Sequence, residues 1–112
     1  MTHEWIREFP AAITVCDTHG VILAMNDKAA QTFEDEGGAS RVGSNLMDCH
    51  NATSQIRIKE MLATGSKNVY TIEKHGKRKL IYQAPWFENG VCMGLVELSL
   101  EIPTEMPHFI RS

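Results

Sequence analysis

An α+β domain built on a five-stranded antiparallel sheet is predicted, and three observations carry the prediction. Two strand patterns precede one block of helices and three follow it, so strands and helices are segregated and do not alternate. The strand pairs are joined by turn chemistry, at Asp17-Thr18-His19-Gly20, at Gly76 and at Glu88-Asn89-Gly90. The chain has 112 residues, of which 43% are hydrophobic, which suits one domain with its own core and leaves no room for a second.

Residues 2–9 read as a short helix. Thr2 is placed to cap it, Trp5, Ile6 and Phe9 share a face, and Pro10 ends it. Two turns of helix do not stand alone in water, so that face must pack on the domain's own sheet or on a second copy of the chain. Residues 11–16 form the first strand, almost without polar residues and β-branched at Ile13, Thr14 and Val15. Residues 21–25 return antiparallel to it.

Asn26 caps the next helix, which runs to about Glu36 with Ala29, Ala30 and Phe33 as its apolar stripe, and Gly37-Gly38 stops it. Residues 39–47 are loop with single helical turns. Thr53 or Ser54 caps a helix over residues 54–64, and Gly65 suits its C-terminal end. Residues 67–75, 77–87 and 91–100 are the remaining strands. The last is the most hydrophobic and so belongs at the centre of the sheet, while Pro85 marks an edge or a bulge in the one before it. The organisation is a capping or dimerisation helix over 1–10, one α+β domain over 11–102 and an extended tail over 103–112.

Composition removes several function classes. A formal net charge of −3 argues against nucleic acid, whose phosphates need a basic surface. No apolar run approaches the ~18 residues of a membrane span, and the N-terminus has no export signal, which points to the cytoplasm. Cys16, Cys49 and Cys92 are few, odd in number and far apart, which favours free thiols. No paired Cys or His spacing supports a structural zinc site.

Val15-Cys16-Asp17-Thr18-His19-Gly20-Val21-Ile22, Met25-Asn26, Val42-Gly43-Ser44-Asn45-Leu46, Lys74-His75-Gly76-Lys77 and Gly94-Leu95-Val96 occur in an order and spacing that resemble the PAS domain. The likeness covers residues 10 to 102. It implies helices packed on one face of the sheet, a pocket between them, frequent dimers and a sensory role. Asp48-Cys49-His50 is similar to a subgroup that reads Asp-Cys-His-Pro, with Asn51 standing in place of the proline.

The resemblance also nominates site residues. Asn45, Leu46, Cys49 and His50 fall on the pocket wall, Ile81 and Gln83 face it as odd residues of the fourth strand, and Val96 and Leu98 as even residues of the fifth. Gln83 stands out, because an amide in an apolar run must find a hydrogen bond. Trp5, Ile6 and Phe9, with Leu80, Tyr82 and Trp86 of the outer sheet face, are the candidate dimer surface.

Three functional readings follow. The first is a non-enzymatic sensory or interaction domain that binds a small molecule or a separate signalling protein as a homodimer, ligand binding biasing a conformational equilibrium. The second is a haem or metal sensor that uses His50 as ligand. The third is a small-molecule enzyme with Cys49 as nucleophile, disfavoured because adjacent loop residues do not readily form a nucleophile–base pair. A light-driven flavin–thiol adduct is disfavoured by the resemblance to light-sensing relatives, which places Leu46 where their reactive cysteine stands.

Overall fold

Five strands pair in the order β2-β1-β5-β4-β3, every neighbour antiparallel. They are β1 (Ala12–Asp17), β2 (Ile22–Met25), β3 (Asn68–Lys74), β4 (Lys77–Glu88) and β5 (Val91–Ile102). The most hydrophobic strand, β5, lies at the centre as its composition predicts. The computed structural model describes residues 4–112, and of Cys49 the backbone alone.

The β4–β5 hairpin turns through Asn89 and Gly90 at φ 51° and 80°. Positive φ at both central residues matches the turn to the right-handed twist of its strands. Pairing starts as Glu88–Val91 and Phe87–Cys92, then continues as Trp86–Gly94. Met93 is therefore an extra residue, a bulge that shifts the register of everything beyond it. Pro85 sits one residue before the break, on the stretch of β4 that β3 does not reach. Its missing N–H costs no ladder bond there.

The helices are α1 (Glu4–Arg7), α2 (Asp27–Thr32) and α3 (Ala52–Thr64). The capping role expected of Thr2 lies outside the described residues. Helix α2 is shorter than its pattern predicts: it ends at Thr32, and separate 3-10 turns cover Glu34–Glu36 and Gly38–Arg41. Gly37, at φ 111°, separates those two turns. Helix α3 begins earlier than expected, because Asn51, and not Thr53 or Ser54, is its cap: its Oδ1 accepts from the Ser54 N–H at 2.9 Å. Gly65 closes it in the left-handed region, as predicted.

Asn26 does more than cap α2. It is buried, and its Oδ1 accepts from the N–H groups of Ala29 (3.0 Å) and Ile13 (2.9 Å). Its Nδ2 faces the carbonyls of Ile6 (3.0 Å) and Ala11 (2.8 Å). One amide thus joins α1, β1 and α2. Helix α3 lies on one face of the sheet, where Ile58 and Met61 close over Cys16 and Leu95 to make the core. Among the described residues, no helix is long and apolar enough to cross a membrane.

Candidate functional site

Residues paired directly across antiparallel strands share a face. One such row crosses the whole sheet: Met25, Thr14, Glu97, Gln83, Asn68. It lies two residues along each central strand from Cys16 and Leu95, so it points toward the helices. There a cavity of about 270 Å³ separates sheet from helices. Its sheet side carries Thr14, Met25, Gln83 and Glu97; its apolar walls include Phe33, Leu46, Ile58, Met61 and Leu95; Glu36, Arg41 and His50 are polar residues contributed by the helical side.

The polar groups of the row form a chain. Arg57 of α3 donates to Asn68 Oδ1 at 3.1 Å, Asn68 Nδ2 donates to Gln83 Oε1 at 3.1 Å, and Gln83 Nε2 donates to Glu97 Oε1 at 2.9 Å. Its direction is fixed from both ends, since a guanidinium only donates and a carboxylate only accepts. The field of Glu97 reaches further along the sheet: burial first, and then that carboxylate, push the Tyr70 hydroxyl above its ordinary value.

Leu46, His50, Gln83 and Val96 border the cavity, as the sequence expectation places them. Asn45, Ile81 and Leu98 do not. Asn45 caps the 3-10 turn Leu46–Cys49 through the Met47 N–H (2.9 Å) and donates to the His19 carbonyl (3.0 Å), so its work is to pin this loop to the β1–β2 hairpin. Ile81 faces the helices but is buried between Tyr70 and Ser99 in its row. Leu98 lies on the opposite face, paired with Tyr82 and Ile13. The Met93 bulge is the reason. Without it Gln83 would face Val96 and the even residues of β5 would share the cavity side; with it Gln83 faces Glu97. Val96 reaches the cavity although its register belongs to the outer face. The expectation for the Cys49 side chain lies outside the described residues.

Glu97, Thr14, Arg41 and Phe33 were not legible as site residues. For Glu97 a signal existed: an acid inside the most hydrophobic strand. The expected parity put it on the outer face and hid its meaning. Leu80 and Tyr82 lie on the face away from the helices, half-buried. Trp5 and Phe9 stack edge to face and stay 66% and 45% exposed. Trp86 spends its indole N–H on the Cys16 carbonyl at 3.1 Å.

His50 donates from Nδ1 to the Leu46 carbonyl at 2.6 Å, which leaves the lone pair on Nε2, the tautomer a metal would need. The cavity as it stands is too small to enclose a haem. The cavity, at about 270 Å³, falls below the ~300–1,000 Å³ that encloses drug-sized ligands, and haem is larger than these. Among the described residues, no group of three His, Cys, Asp or Glu is placed to hold a metal ion.

No family model matches the chain, and no curated protein matches it. Solved structures do. A C-terminal domain from Streptococcus mutans superposes with a TM-score of 0.71 at 22% identity, covering 88% of this chain and 80% of that one. The VqmA dimer of Vibrio cholerae gives 0.68 at 13% identity, over 100% of this chain and 58% of that one. The PAS domain of Bordetella pertussis BvgS gives 0.61 at 18% identity, over 89% and 82%. The matches include PAS domains of sensory proteins. The sheet order, the helical layer and the cavity between them thus have the PAS fold.

Proposed function

We propose that the chain is a sensory module that holds a small molecule between α3 and the inner face of the sheet and carries out no chemistry on it. The cavity is the observation that supports this reading. It is walled mainly by apolar side chains and offers a few convergent polar groups on the sheet, the pattern of a binding site for a small ligand. Leu46, His50, Gln83 and Val96 contribute contacts, with Glu97 and Thr14 added. Occupancy shifts the balance between conformations of the helical layer, and a separate signalling protein in the cytoplasm reads the shift. Native mass spectrometry of protein purified from its own host tests this. The expected result is a retained small molecule that is lost in Leu46→Trp, which adds bulk to the cavity wall. Protein that carries nothing and is stabilised by no small molecule overturns it.

The module acts as a homodimer in this reading, through Trp5, Ile6, Phe9, Leu80, Tyr82 and Trp86. The exposed Trp5–Phe9 pair supports it, as does the half-covered apolar face on which Tyr82 and Leu98 pair. VqmA, which shares the fold, is described as a dimer. Sedimentation decides: a monomer at high micromolar concentration counts against it.

A further inference from the structure

We infer that the cavity selects a small apolar ligand carrying a positively charged nitrogen, with Glu97 as its anchor; this rests on the ligand-binding reading above. Glu97 projects from the central strand onto the cavity wall, half-buried. One of its oxygens accepts from Gln83 Nε2. The other has no donor among the described residues and is not fully buried. Among those residues no cation pairs with Glu97. Arg41 also lines the cavity and is itself partnered.

A carboxylate set in an apolar wall keeps its charge at least cost when a cation arrives to pair with it. Gln83 reaches only one of the two oxygens: its Nε2 donates to Glu97 Oε1 while its own Oε1 accepts from Asn68. It thus holds the carboxylate in place. The nearby Leu95, Met25 and Phe33 suit a ring or a short alkyl body, and the volume of about 270 Å³ limits that body to a single small ring system. An anionic ligand would meet Glu97 and Glu36 together. The chemistry that satisfies the site is an alkylammonium, an amidinium or a protonated nitrogen heterocycle.

The test uses three probes of one size: benzylammonium, benzyl alcohol and benzoate. Each is titrated into the full chain at neutral pH, followed by the side-chain amide signal of Gln83 and the backbone signals of Thr14 and Leu95. Benzylammonium is expected to bind at least about tenfold more tightly than the alcohol, since a hydrogen bond to a charged group exceeds a neutral one by roughly that factor. Glu97→Gln preserves the shape and the contact with Gln83, and should erase the preference without weakening the alcohol. Equal binding of the three probes overturns the charge selection and leaves the cavity reading standing. A preference that survives Glu97→Gln overturns the anchor. No shift of these signals with any probe overturns both readings.

Discussion

Gln83 Nε2 donates to Glu97 Oε1 at 2.9 Å across the β4–β5 ladder, and this bond is the inner end of a chain that starts on α3 at Arg57. It connects the cavity wall to α3, so a change at Glu97 has a physical path to the helical layer. Each amide in it accepts from one neighbour and donates to the next.

Replacing Gln83 therefore strands two groups at once. Gln83→Leu leaves Asn68 Nδ2 and Glu97 Oε1 without partners in a half-buried row, at a cost of about 1–2 kcal/mol. Gln83→Glu keeps the shape but sets two carboxylates side by side. One of them must hold a proton in the folded state, so its folded pKa rises above its unfolded value. The variant should be least stable at neutral pH and recover as the pH falls. Urea denaturation of both variants across the acid range checks this; a Gln83→Glu protein whose deficit stays constant with pH would show that the two side chains are not in contact.

Asn26 is the second point where one side chain holds several elements. Its Oδ1 serves Ala29 and Ile13, and its Nδ2 serves Ile6 and Ala11. Asn26→Ala should cost about 3 kcal/mol, more than the ~1 kcal/mol of a lost cap, because buried backbone groups in β1 and before it also lose their partner. Asn26→Asp retains the acceptor but turns an oxygen toward the carbonyls of Ile6 and Ala11. Both variants should release α1, and trypsin cleavage at the exposed Arg7 reads that release directly. Unchanged cleavage would mean that α1 is held by its own packing.

How much of this was legible follows from these same residues. The strand count, the central place of β5, the turn at Asn89-Gly90 and the capping role of Asn26 all rest on local chemistry, and local chemistry is visible in the chain. The wider role of Asn26 depends on α1 returning to the hairpin, a tertiary event with no local mark. The cavity wall was only half readable, because strand parity is a single bit that one extra residue reverses. Met93 is that residue. Gly94, an isolated glycine inside an apolar strand, was the available warning. With the parity reversed, Leu98 moved out of the site and Glu97 moved in.

Gly94 itself is fixed by close approach. A Cβ placed there would lie 1.9 Å from the Cys16 carbonyl oxygen and 2.8 Å from the Asp17 Cα, and its φ of 149° disfavours a side chain. That carbonyl also receives the Trp86 indole N–H at 3.1 Å, so the ring crosses the glycine to reach β1. Gly94→Ala must push β1 away from β5, the centre of the sheet. A loss of more than about 3 kcal/mol is expected, with a change in tryptophan emission as the indole bond breaks. Native-like emission and stability would show that the strands part there without cost.

Cys16 gives the alkaline limit of the fold. It is buried in the core against Ile58, Met61 and Leu95. Burial, chiefly, holds its thiol above the ordinary value of 9.0. In the unfolded chain the thiol ionises near that ordinary value, while in the folded chain it keeps its proton to higher pH. Between the two values the folded state binds more protons than the unfolded one, so stability falls as pH rises. The contribution is fully present below about pH 9 and is lost as the pH climbs through the raised value. Cys16→Ala should flatten that part of the decline while lowering stability at neutral pH by about 1 kcal/mol, the cost of a small core cavity. The folded protein should also modify slowly at Cys16 with a thiol reagent, at a rate set by opening of the core, because reaction needs the thiolate. Denaturation curves collected from neutral to strongly alkaline pH check the first point; an identical alkaline slope in Cys16→Ala would assign the decline to other groups, Tyr70 foremost, whose hydroxyl is shifted the same way.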